Sequence, residues 1–193
     1  ATWWVVRQWT GSSTAALLSG ALAAFNVHTI TRLAHLAATH AWGLPLAWYF
    51  ADALMQRRRL RDAIALTLVV AATAATSLYL LAFVGLIIGV VIVTNLSRWR
   101  SDVVTAGASI GGLILALPVF LPYMRLNRAG VSRPIEMVQQ FSATWQGYLT
   151  STSHLHAAWS SSFFTRDVNV LFAGVLISEI AVRASHAAMA SQQ

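Results

Sequence analysis

From Ala63 to Thr94 the chain carries no charged side chain. One straight helix over that run would be about 48 Å long at 1.5 Å per residue, against about 30 Å for the hydrocarbon core of a bilayer. The run is too long for one ordinary span. Arginines bound it on both sides: Arg57, Arg58, Arg59 and Arg61 before it, Arg98 and Arg100 after it. Arginine-bearing loops stay on the cytoplasmic side, so both ends belong on one face. The run is predicted to fold as a hairpin of two short helices, with Thr76, Ser77 and Tyr79 at the turn.

Composition supports an integral membrane protein. Hydrophobic residues make up 57% of the 193 residues, mean hydropathy is +0.62 and only 10% are charged, against about 25% in soluble domains. The absence of cysteine excludes disulfides and thiolate–metal sites. The formal charge of +7 comes from 13 arginines without a lysine. They stand in short clusters between apolar segments, which suits topology and anionic lipid headgroups and argues against nucleic acid as a partner. The start at Trp3-Trp4-Val5-Val6 reads as the stump of a helix, and the chain as a fragment of a longer protein.

The expected fold is all-α: one polytopic membrane domain over residues 1–193, with about six spans near 13–27, 41–56, 63–76, 78–94, 103–121 and 168–182. An outer segment at 122–167 contains an amphipathic surface helix, because Ile135, Val138, Phe141, Trp145 and Tyr148 follow Pro134 at helical spacing. Continuous rather than alternating apolar runs exclude a β-barrel. The expected orientation puts eight arginines on the inner side (Arg7, those at 57–61, Arg98, Arg100 and Arg183) and five on the outer.

Few residues offer chemistry. His28, Arg32, His35 and His40 gather in one outer turn, where an arginine fork and exchangeable imidazole protons suit a lipid phosphate; a merely polar interfacial turn explains them as well. Their spacing does not make a zinc helix, and no metal site is expected. His154 and His156 would share one side of an extended strand. Glu136 and Asp167 are the only acids of the outer segment, each with a helix-terminus explanation. Asp62 and Asp102 look like helix caps, and Asp52 is expected to pair with Arg57 or Arg59. Most of the eight tryptophans fit an interfacial aromatic belt; a sugar-stacking platform is the alternative, above all at Trp145 and Trp159.

The order of short motifs carries a resemblance. Thr10-Gly11-Ser12 precedes an Ala-rich helix. Ala24-Phe25-Asn26, His35-Leu36, Leu44-Pro45-Leu46, Arg59-Leu60-Arg61-Asp62 and Thr76-Ser77-Leu78-Tyr79 follow. Phe141-Ser142-Ala143-Thr144, Tyr148-Leu149 and Leu171-Phe172-Ala173-Gly174 come late. In this order the chain resembles bacterial membrane proteins of the GT-C glycosyltransferase superfamily over nearly its whole length. The resemblance implies transfer of a sugar from a polyprenyl-phosphate carrier at the outer face. It implies a catalytic acid in a first outer loop upstream of Ala1, and lipid-phosphate or substrate contacts at His28, Arg32, His35, Arg125, Arg128 and Arg133. No cofactor is expected within the chain itself; a divalent cation would belong to the parent protein. Ala173 stands where the family pattern has proline, and Val168 where it has an acid. The other expectation is a non-enzymatic membrane subunit or transporter, which would need ionisable groups at mid-membrane depth.

Overall fold

The charge-free run breaks at Ser77. In the computed structural model, which describes residues 1–25, 40–95, 99–130, 134–140, 142, 144–151 and 154–163, one helix spans Leu60–Thr76 (α4) and the next Leu78–Val93 (α5). Ser77 is extended, its amide bonds the Thr73 carbonyl at 2.8 Å, and its hydroxyl caps the Leu80 amide at 3.4 Å. One residue thereby ends one helix and starts the next, as Ser does when its side chain competes with the backbone ladder. The two helices are each about 25 Å long.

Before the hairpin come Thr2–Thr10 (α1), Ser13–Ala24 (α2) and Gly43–Arg57 (α3). Pro45 falls in the first turn of α3, where its missing N–H costs nothing. After the hairpin, Trp99–Arg128 (α6) runs for 30 residues. The expected end near Pro118 is not found: the helix passes Pro118 and Pro122 and stops at Arg128. Each proline leaves one carbonyl four residues earlier without its usual donor, a defect that apolar helices absorb by local adjustment. Within α6, Arg100–Leu126 is long and apolar enough to cross a membrane. All described elements are helical, with no strand among the described residues.

The chain divides into two compact units, Ala1–Ala21 with His35–Ser132, and Leu22–Ala34 with Arg133–Gln193. In the first, α3–α6 share a core of Ala47, Ala51 and Leu54 from α3, Leu66, Val69 and Val70 from α4, Val84, Ile88 and Val91 from α5, and Ala108 from α6. The buried stripe of α6 is Ser101, Thr105, Ala108, Gly112 and Ala116, at steps of three and four. All five are small, and small residues let helix backbones approach closely. A Cβ on Gly112 would lie 2.7 Å from the Thr67 carbonyl oxygen and from Val70 Cβ, so only glycine fits where α6 crosses α4. Nearby, the Thr67 hydroxyl donates to the Ala108 carbonyl at 3.0 Å. At the far end of α4, Gly43 of α3 leaves room for the Thr73 side chain, which a Cβ would strike.

What α6 and α5 expose is the reverse of what a water-facing helix exposes. Ile110, Ile114, Leu115, Leu117 and Leu121 on α6, and Leu86, Val90 and Val93 on α5, are half or more exposed, apart from Leu117 just below that. On α6 large apolar side chains point outward and small ones inward; α5 also buries large ones, Leu80, Val84, Ile88 and Val91.

In the second unit the described stretch is a series of short pieces. Ile135–Gln140 (α7) is followed by 3-10 turns at Trp145–Leu149, His154–His156 and Ser161–Phe163, with Ala157–Ser160 (α8) between the last two. The amphipathic helix expected to reach Tyr148 therefore ends at Gln140. Thr144 is extended (φ −113°, ψ 157°), and a Ser-Ala-Thr stretch favours caps and turns over helix interiors. Ile135, Trp145 and Tyr148 are all exposed. The expected span at 168–182 lies outside the described residues.

Candidate functional site

The residues with chemistry collect at the helix ends of the first unit. At the end of α6, Arg125 and Arg128 are three residues apart in the last turn and both are exposed. That spacing puts them on one face, beside the negative end of the helix dipole that cations favour. Of the six residues singled out for phosphate or substrate contact, these two are described. His28, Arg32, His35 and Arg133 lie outside the described residues.

The opposite end is built by the α3–α4 turn. α3 ends at Arg57, and Arg58 adopts a left-handed conformation (φ 50°, ψ 38°) that lets its amide bond the Leu54 carbonyl. Its guanidinium Nε donates to the Ser101 hydroxyl at 2.7 Å. This bond, with Thr67–Ala108 farther along, shows α4 and α6 running parallel, so both helix N-termini lie at the arginine end. Arg61 Nε stands 3.6 Å from Asp62 Oδ1; the arginine side chain is 67% exposed and the aspartate 7%.

Asp62 and Asp102 sit in the first turns of α4 and α6 rather than at cap positions. There they still meet the positive end of each helix dipole. Asp62 Oδ2, Asp102 Oδ1 and Thr105 Oγ1 are buried without a hydrogen-bond partner among the described residues. The expected pairing of Asp52 with Arg57 or Arg59 is replaced by a bond from Gln56 Nε2 to Asp52 Oδ2 at 2.8 Å. Gln56 is four residues on and on the same face, whereas Arg57 turns away and Arg59 lies beyond the helix end.

Arg7 does not join this cluster. α1 meets α3 at Trp48–Phe50, through Trp4 against Tyr49 (4.9 Å between ring centres) and Trp9 against Trp48 (5.8 Å), roughly two turns before Arg57. Arg7 instead donates to the Gly11 carbonyl at the end of α1. Trp4, Trp9, Trp48, Tyr49 and Phe50 form one aromatic group, T-shaped at Trp4–Tyr49, Trp9–Trp48 and Tyr49–Phe50 and tilted at Trp4–Phe50 and Trp9–Tyr49.

In the second unit His154 and His156 do not share a strand face. They lie in a 3-10 turn, where residues two apart point in different directions. His156 Nδ1 is 3.2 Å from the Ser151 hydroxyl, and its ring packs edge-on to Trp159. Trp145 is 66% exposed, and its ring centre lies 6.5 Å from that of Phe163 in a T-shaped arrangement. No group of three or more His, Asp or Glu converges on a metal position among the described residues.

A groove of about 230 Å³ between α4, α5 and α6 is lined by Val70, Leu81, Val84, Gly85, Ile88, Leu113 and Ser109. The Ser109 hydroxyl is turned back to the Thr105 carbonyl at 2.8 Å, so the groove offers a ligand hydrocarbon contact and little else. The sequence reading missed the Arg58–Ser101 clasp. Its only signal was an arginine run before one apolar segment and an Arg-Ser-Asp triplet before another. No protein-family model matches the chain, and no curated protein or solved structure is similar to it.

Proposed function

We propose that the chain is a lipid-embedded helical bundle, part of a glycosyltransferase-like protein of the bacterial inner membrane that handles a polyprenyl-phosphate sugar donor. The observation that carries the membrane part is the inverted surface of α6: small residues buried, large apolar ones exposed, and arginines confined to the two ends at Arg100 and at Arg125 and Arg128. About 37 Å separates Arg100 from Arg125 along the helix, enough for the hydrocarbon core plus a margin in the headgroup zone. The remaining spans of a six-span arrangement would come from α2–α5 and the 168–182 segment. The sugar-transfer part rests on the order of sequence motifs. In it, Arg125 and Arg128 contact the carrier phosphate or the substrate; the same resemblance gives that role to His28, Arg32, His35 and Arg133, and a catalytic acid outside this chain.

The second reading is a non-enzymatic subunit or transporter, which would need ionisable groups at mid-membrane depth; Asp62 and Asp102, each with a buried oxygen lacking a hydrogen-bond partner among the described residues, sit instead in the first turns of α4 and α6.

The cysteine-free sequence allows a clean test. Single cysteines at Ser97 and Arg128, probed with a membrane-impermeant thiol reagent in intact cells, should be labelled from opposite sides, while Ile114→Cys should stay unlabelled until detergent is added. Labelling of all three from one side would end the membrane reading. Sugar transfer from a polyprenyl-phosphate donor by membranes carrying the full parent protein, reduced at least tenfold by Arg125→Gln with Arg128→Gln, is expected; unchanged transfer would remove these two residues from the site.

A further inference from the structure

A buried residue recurs at every turn of α6 from Ser101 to Ala116. After Ala116 no described side chain of the helix is buried, and only Phe120 is half-covered. The neighbouring helices stop where this change occurs. Thr67 bonds the Ala108 carbonyl, and a Cβ on Gly112 would meet the Thr67 carbonyl, so Thr67 is level with 108–112. Thr76 ends α4. In a parallel helix of equal rise it is level with about 117–121. At that same end, Gly43 at the start of α3 packs on Thr73, and α5 starts at Leu78. The last turns of α6 therefore run on past the ends of α3, α4 and α5.

Pro118 and Pro122 fall at this level. They are four residues apart, so the ladder bonds missing from the Ile114 and Pro118 carbonyls lie on one side of the helix. Helices bend where such bonds are missing, and segments with few buried contacts are the first to move. Within α3–α6, neighbouring helices would splint a proline; here the ladder and the packing fail at the same turn. We propose that Val119–Arg128 is a hinged arm that swings at Pro118 and Pro122 and carries Arg125 and Arg128 as one unit. A bend of about 20° moves Arg128, about 15 Å beyond Pro118, through about 5 Å. That is enough to bring both guanidinium groups up to an anionic group at this end of the bundle or to withdraw them. The part the arm plays at the site rests on the phosphate reading of Arg125 and Arg128; the hinge itself does not.

The test is double electron–electron resonance on the full chain in detergent micelles, with spin labels on introduced cysteines. One pair joins Tyr79, exposed on α5, to Arg128 at the tip of the arm; the control pair joins Tyr79 to Val103, exposed near the start of α6. The Tyr79–Arg128 distance distribution should be about 1.5-fold wider than the control or more, as a swing of this size requires. Pro118→Ala with Pro122→Ala should narrow it to the control width and leave the control unchanged. Equal widths for the two pairs in the native chain would overturn the proposal. So would a wide distribution that survives both alanines, which would put the slack in unravelling of the last turn. Micelles require neither a bilayer nor a sugar donor, so failure of the membrane or transfer readings leaves this result legible. A stiff arm would leave both of those readings standing.

Discussion

The α3–α6 bundle and the 144–163 stretch are held together by different physics. In the bundle, side chains contribute shape: Gly112 against the Thr67 carbonyl, Gly43 against Thr73, Ala and Ser along the buried face of α6. Thr67–Ala108 and Arg58–Ser101 are the interhelical side-chain bonds seen there. In the second stretch, side chains replace a regular ladder. The Ser160 hydroxyl receives the Ser151 amide at 2.7 Å and donates to the Ser151 carbonyl at 3.1 Å, and Thr150 bonds back to the Gly147 carbonyl at 2.9 Å. Thr150, Ser151 and Ser160 are all buried, so their polar groups must be paired locally. In the bundle the backbone satisfies itself within long helices and packing decides their arrangement; in the second stretch short turns are stapled by hydroxyls.

The sharpest way to break this contrast is to put a charge on the outward face of α6. Ile114, near the helix midpoint, is 60% exposed. If that face meets lipid, Ile114→Arg costs about 3 kcal/mol of insertion and the chain is lost from the membrane fraction. If it meets water, the substitution improves solubility and leaves folding intact. Fractionation of Ile114→Arg beside the unsubstituted chain decides the matter.

Next in size is the α4–α6 crossing. Gly112→Val places a branched side chain where a Cβ already lies 2.7 Å from backbone. It should lower stability by about 3 kcal/mol or more, the upper range for overpacking, seen as a lower unfolding temperature in detergent. Gly111→Ala is the control. Its Cβ would find only Thr67 side-chain atoms at 3.8 Å, so it should be neutral or gain up to about 1 kcal/mol, the advantage of alanine over glycine in a helix. Equal effects at both positions would show that shape does not hold the bundle.

These two glycines also mark what the sequence could and could not reveal. The hairpin was legible from the length of the charge-free run and its polar stretch; of Thr76, Ser77 and Tyr79, expected at the turn, Ser77 alone leaves the helices, Thr76 ending α4 and Tyr79 lying in α5. The all-helical class was legible from continuous apolar runs. The difference between Gly111 and Gly112 was not, because which of two adjacent glycines faces a neighbour depends on the rotation of α6 about its axis. The extent of α6 was hidden for another reason: Pro118 and Pro122 read as stop signals, yet the helix passes both and ends at Arg128. The helix expected through Tyr148 failed the opposite way, since five apolar residues at helical spacing could not outweigh the Ser142–Thr144 stretch. At the candidate site, arginine clustering was visible in the chain, but the clasp from Arg58 to Ser101 joins positions 43 apart and has no local signature.

In the second stretch, Ser160→Ala removes both bonds to Ser151 and leaves a buried amide and carbonyl short of partners. About 2 kcal/mol of local stability should be lost, the usual penalty for a buried unsatisfied group. Hydrogen exchange at the Ser151 amide should speed up roughly thirtyfold, while amides of α4 and α6 stay protected. Global loss of protection would mean that the two regions do not stand on separate interactions.

The smallest expected effect comes from two terms of similar size and opposite sign at Arg58. A non-glycine residue in the left-handed region carries about 1–2 kcal/mol of strain, and glycine relieves it. The same substitution removes the bond to Ser101, which as a partly buried, charge-assisted contact is worth about 1.5 kcal/mol. Arg58→Gly should therefore shift the unfolding temperature very little. Ser101→Ala loses the bond and keeps the strain, so it should be the more destabilising of the two. In an Arg58→Gly background, Ser101→Ala should cost almost nothing further, because the partner is already gone. If the two losses simply add, the clasp contributes nothing to stability, and the arginine turn owes its place to the packing of α3 against α4 alone.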